Sequence, residues 1–152
     1  MILNALFFAL GILLPSAPQP KTAELDKLVD QWHKDAADAK FDAYFAFMDE
    51  SFVYIGTAPN ERWPKPQFAD FCKPYFDKGK AWDFKMTERK WNFSEDGKTA
   101  WFDEVLDTWM MDCRGTGVMI KTAKGWKIVL YDLHVLVENE KINEFLELRK
   151  QQ

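Results

Sequence analysis

The chain has 152 residues, a formal net charge of −4, 47% hydrophobic and 29% charged residues, the size and balance of one folded domain. Its Lys and Arg are dispersed among Asp and Glu, so no basic stripe exists to displace counterions from a phosphate backbone, which argues against nucleic acid as a partner. The 13 Phe, 7 Trp and 4 Tyr exclude a disordered chain and supply ring area for a thick core or an aromatic-lined cavity.

The first residues, Met1 to Leu14, carry no side-chain charge. The run is short for a bilayer span but suits the apolar region of a signal peptide, with the small residues Ser16 and Ala17 after it. No Lys or Arg precedes the run and Pro18 follows Ala17 directly, so an uncleaved membrane anchor is the alternative. Pro15, Pro18 and Pro20 then form a stiff linker. The expected organisation is a signal peptide and Pro-rich linker over 1–20 and one domain over 21–152. The expected location is periplasmic or secreted, with no stable membrane association after cleavage. Cys72 and Cys113, the two cysteines, lie in apolar segments and read as buried thiols rather than a disulfide framework. No CxxC or His-rich tract points to a metal.

Thr22 can cap a helix whose apolar residues Leu25, Leu28, Val29, Trp32 and Ala36 recur at three and four. Phe41, Tyr44, Phe45 and Met48 repeat the pattern after Asp38, predicting a broken helical hairpin over about 23–48. Phe52 to Ile55 reads as a short strand ended by Gly56, and Thr57 to Pro64 as an irregular loop. Pro66 suits the first turn of a third helix lined by Phe68, Phe71, Cys72, Tyr75 and Phe76. Pro74 should kink or end that helix, and Gly79 is a natural stop. The period then changes. Lys85 to Phe93 and Thr99 to Thr108 flank the turn Ser94-Glu95-Asp96-Gly97. Cys113 to Thr122 and Trp126 to Val137 flank Ala123-Lys124-Gly125. Asn139 can cap a short last helix. Helices segregated from a strand meander predict an α+β fold with helices on one sheet face.

The stretch Phe52-Val53-Tyr54-Ile55-Gly56-Thr57-Ala58-Pro59-Asn60-Glu61-Arg62-Trp63 resembles the strand-and-loop signature of SnoaL-like proteins, a branch of the nuclear transport factor 2-like (NTF2-like) superfamily. Asp96 to Glu104, Cys113 to Val118 and Gly125 to Ile128 are similar to three sheet strands of that family. The resemblance runs from about 23 to 148. It implies a cone-shaped fold in which helices cover the concave face of a curved antiparallel sheet, a pocket between them, and frequent homodimers through the sheet face. It implies no single activity, because the superfamily holds isomerases, cyclases, dehydratases and binding modules. On the last strand relatives tend to show His then Ser two residues apart, where this chain holds Asp132 and His134.

Simple alternation places Trp126, Ile128, Leu130, Asp132 and His134 on one face of that strand, and Lys127, Val129, Tyr131, Leu133 and Val135 on the other. Asp132 beside His134 could orient a general base; a wetted structural pair is the alternative. Asp103 and Glu104 must point to opposite faces, so only one can enter a pocket, with Arg114 on the next strand as the obvious counter-ion. Trp63 and Tyr54 are candidates to line or lid the pocket, or to plug the core, and Arg62 could meet an anionic ligand. The expected function is binding of a small, partly apolar molecule, without a cofactor. The alternative is an acid–base enzyme of isomerase, dehydratase or hydratase type, with His134 as base, Asp132 orienting it, and Arg114 with Asp103 or Glu104 fixing the substrate.

Overall fold

The computed structural model describes residues 22–151. The signal peptide and Pro-rich linker expected over 1–20 therefore lie outside the described residues. The helical hairpin consists of α1 (Thr22–Ala37) and α2 (Phe41–Phe47). Ala39, in the left-handed region at φ 54°, makes the break between them. α1 buries Leu25, Val29, Trp32 and Ala36, the stripe set by their three- and four-residue spacing. Trp32 stacks on Tyr44 of α2 with ring centroids 5.0 Å apart and planes 4° off parallel, which locks the two helices together.

β1 (Met48–Ile55) leads to a short β2 (Arg62–Pro64), which pairs back antiparallel within the segment expected to be irregular. α3 (Lys65–Phe76) runs two residues past Pro74 and buries Phe68, Cys72 and Phe76. Pro74 thus stands in the last turn of a helix that stops soon after it. β3 (Lys85–Phe93), β4 (Thr99–Thr108), β5 (Met111–Thr122) and β6 (Gly125–Val135) form the meander. Gly97 at φ 64° and Gly125 at φ 100° turn two of its hairpins. The hairpin between them uses no glycine: Met111 takes φ 69°, and Thr108 Oγ1 holds the turn by accepting from Met110 N at 2.9 Å and donating to Met111 O at 2.9 Å.

Among the described residues the strands form one six-stranded sheet in the order β2-β1-β6-β5-β4-β3. The sheet is curved and unclosed, α+β in class, with β1 entering parallel to β6 and every other pair antiparallel. The helices cover one face, and the core lies between: Phe52, Phe102, Leu106, Met119, Ile128 and Tyr131 from the sheet meet Leu25, Val29, Trp32, Tyr44 and Phe68 from the helices. Cys72 and Cys113 are buried free thiols.

Strand β6 departs from simple alternation. The pairing jumps from Val118↔Leu130 to Met119↔Ile128, leaving Val129 as an extra, bulged residue. Trp126 and Ile128 face the core before the bulge, and Tyr131 and Leu133 face it afterwards. Leu130, Asp132 and His134 are thereby turned to the uncovered face. One inserted residue reverses the side of everything beyond it. A short 3-10 turn (Asn139–Lys141) and α4 (Ile142–Arg149) end the chain, and every residue from Glu138 to Lys150 is exposed.

Candidate functional site

An open cavity of about 250 Å³ lies between the end of the sheet and α3. Tyr54 of β1, Trp63 of β2 and Phe68 and Phe71 of α3 form a wall of nearly parallel rings. Tyr54 and Phe68 stack at 4.1 Å and 7°, Trp63 and Phe71 at 4.5 Å and 24°. Tyr75 and Trp82 continue the lining, and Trp109, Met110 and Leu133 come from the meander. The wall forms because β1 alternation turns Phe52 and Tyr54 inward, while the β1–β2 pairing sets Trp63 directly opposite Tyr54. Trp109 is 84% exposed, so it stands at the rim of the cavity in water.

Glu61 is the one carboxylate in this lining. Its position is set by the loop: Gly56 N donates to Glu61 O at 2.8 Å, Glu61 N to Ala58 O at 3.0 Å, and Ala58 N to Glu61 Oε2 at 3.1 Å. A Cβ on Gly56 would stand 2.3 Å from that Oε2, so only glycine leaves the carboxylate its place. Burial raises the Tyr54 hydroxyl well above its ordinary pKa, and the nearby charge of Glu61 adds to the rise. Tyr54 stays neutral.

The expected polar residues fall in three places. Tyr54 and Trp63 line the cavity. Glu104 points inward but is sealed in the core at 1% exposure, beneath the helices. Asp103, Arg114, Asp132 and His134 occupy the face of the sheet that no helix covers. There His134 is exposed, with Nε2 at 3.5 Å from Asp132 Oδ1. At that distance the two side chains touch without a hydrogen bond, and Oδ1 itself is shielded from water.

Glu104 is the hub of a buried network. Oε1 accepts from Tyr131 at 2.7 Å and lies 2.7 Å from His33 Nε2. Oε2 accepts from Arg89 Nε at 2.9 Å; Arg89 Nη2 is 2.7 Å from the same oxygen but off the hydrogen-bonding line, so it contributes charge rather than a second bond. Arg89, and not Arg114, is the counter-ion, because β3 pairs Arg89 directly opposite Glu104 while Arg114 alternates outward and is exposed. Arg89 also reaches Asp26 and Asp30 of α1 at 3.1 and 2.9 Å. Burial alone would raise the Glu104 pKa, but His33, Arg89 and Tyr131 together hold it down at about 2. Gly115 makes the network possible, since a Cβ there would lie 2.0 Å from the Tyr131 hydroxyl. His33 borders a second, wider cleft of about 580 Å³ lined by charged groups including Asp30, Lys34, Asp38, Lys80 and Asp83. His33 stands four residues after Val29 and three before Ala36, at the edge of the buried stripe of α1, and that spacing was its signal. Arg89 lies in a strand of mostly exposed polar residues; its signal was the opposition of β3 and β4 across their turn.

Residues 25–138 match the SnoaL-like domain family. The chain belongs to that family. The SnoaL-like domain has the NTF2-like fold seen in an NTF2-like protein of unknown function from Pseudomonas putida KT2440. That protein is 12% identical, with a TM-score of 0.64 over 78% of this chain and 89% of the other. A protein with a cystatin-like fold from Nostoc punctiforme PCC 73102 is 9% identical, with a TM-score of 0.63 over 80% and 96%. A proposed ketosteroid isomerase from Parabacteroides distasonis ATCC 8503 is 15% identical, with a TM-score of 0.60 over 74% and 85%. A comparison with curated proteins gave no match. At these identities the likeness establishes the fold, while function must be argued from the site.

Proposed function

We propose that this SnoaL-like domain is an exported small-molecule-binding module that holds a small, partly apolar ligand among Tyr54, Trp63, Phe71, Tyr75 and Trp82. The observation that carries this reading is the unfilled cavity of about 250 Å³ with aromatic walls and few polar groups, the general form of a small-ligand site. Export is supported by the uncharged apolar run at the N-terminus. Native mass spectrometry of the protein isolated from its own host is expected to show a bound small molecule. Substituting Trp63→Ala should release it, and a protein that carries no ligand and binds no apolar probe would overturn the reading.

A second reading is a cofactor-independent acid–base enzyme. What favours it is His33, whose Nε2 is held by Glu104 while Nδ1 has no hydrogen-bond partner among the described residues and the ring borders a charged cleft. An imidazole with one nitrogen oriented and the other free has the arrangement of a general base. The pair Asp132 and His134 has the same composition on the uncovered face. A screen for deuterium exchange into carbon acids separates the two: His33→Gln should abolish exchange if His33 is the base, His134→Gln if the outer pair acts. No exchange in the unsubstituted protein favours the binding module.

We also propose that the uncovered sheet face takes a second copy of the chain. Val53, Ile55, Val118, Ile120 and Leu130 are half-buried there and Trp101 is 41% exposed. An apolar surface of that kind favours association.

A further inference from the structure

We infer that the aromatic cavity selects a small organic cation, a protonated or quaternary amine on an apolar body, and that Glu61 sets this preference. The inference rests on the ligand-pocket reading above and adds the charge of the ligand. The lining carries Tyr54, Trp63, Tyr75, Trp82 and Trp109 together with one carboxylate, and no Lys or Arg. A ring that turns a face to a ligand offers it negative potential, and this attracts a cation once water is displaced. Beside apolar rings and only partly exposed, the charge of Glu61 is worth more once a ligand displaces water than it would be in bulk water. An anionic ligand would meet that same charge with no cation to offset it.

Glu61 is placed for this work. The loop bonds tie its Oε2 to Ala58 N at 3.1 Å. Oε1 has no hydrogen-bond partner among the described residues, so it is available to a ligand ammonium. Gly56 leaves the space in which the carboxylate sits. Among the described residues no Lys, Arg or His forms an ion pair with Glu61, so no cation of the protein offsets its charge.

The experiment compares three probes of nearly one shape on the full chain by calorimetry and by tryptophan fluorescence: choline, its uncharged carbon isostere 3,3-dimethylbutan-1-ol, and the anion 3,3-dimethylbutanoate. Choline is expected to bind roughly three- to thirtyfold more tightly than the isostere, the span from one exposed to one desolvated cation–π contact, and the anion not at all. Glu61→Gln, which keeps the shape of the side chain, should bring choline and the isostere to near parity. Trp63→Ala should weaken both. If the isostere binds as well as choline, or the anion binds best, the inference of a cation falls while the ligand pocket stands. Failure of all three to bind, together with failure of larger apolar dyes, overturns both. Choline selectivity that survives Glu61→Gln removes Glu61 from the inference.

Discussion

At the scale of single residues, Glu104 carries the heaviest electrostatic load. Its carboxylate is sealed from water yet holds charge, because Arg89, Tyr131 and His33 converge on both oxygens. Removing one partner of such a buried pair leaves the other charge uncompensated, so Glu104→Gln is expected to lower unfolding free energy by about 3–5 kcal/mol in urea titrations. A loss below about 1 kcal/mol would show the network to be energetically idle. The pH dependence has a definite sign. The folded pKa of about 2 lies below the ordinary 4.5, so between those values the unfolded chain binds more protons at this site. The stabilisation is complete above about 4.5 and drains away as pH falls towards about 2. The Glu104→Gln variant should lack that acid-side loss. Gly115→Ala tests the same network from outside, because its Cβ would displace the Tyr131 hydroxyl; overpacking of this kind typically costs about 1–3 kcal/mol.

At the scale of elements, the bulge at Val129 decides what faces the helices. Without it Tyr131 and Leu133 would turn outward, and Asp132 and His134 would enter the core, leaving a carboxylate and an imidazole to be desolvated. Deleting Val129 removes the extra residue and leaves Ile128, Tyr131 and Leu133 on the covered side, so the variant should still unfold cooperatively and keep the near-UV circular dichroism of the packed rings. Loss of both would show that β6 needs the bend of the bulge itself and not only the register beyond it. The last helix behaves in the opposite way. Ile142, Leu146 and Leu148 of α4 are 43%, 47% and 64% exposed, so a chain ending at Val137 should match the full chain in stability to within about 0.5 kcal/mol. A larger loss would mean that α4 docks on another surface in solution.

At the scale of the whole molecule, the two sheet faces divide the work. The covered face holds the core, the buried network and the cavity; the other holds Asp103, Arg114, Asp132, His134 and a half-buried apolar stripe. If that stripe pairs two copies, sedimentation equilibrium should give a dimer, and Val118→Glu should give a folded monomer by placing a charge in the contact. A monomer at all concentrations would assign the face to solvent. The aromatic cavity opens at the end of the sheet, so ligand binding should persist in the monomeric variant.

The helical pair, the strands over 85–93 and 99–108, the glycine turns and the α+β class were legible in the chain because each follows from near neighbours: apolar period, turn chemistry and proline placement. Tyr54 and Trp63 were legible as cavity candidates for the same reason, being ring-bearing residues on either side of a strand-ending loop. Other features were decided only when the strands met. The choice of Arg89 over Arg114 depends on which residue stands across from Glu104 in a neighbouring strand. The partnership with His33 joins residues 71 positions apart. The bulge at Val129 carries no sequence mark, since it exists to reconcile the pleat of β6 with that of β5. Local preference is written along the chain, but register between strands is set by the packing of both faces at once, and that balance exists only in the assembled sheet.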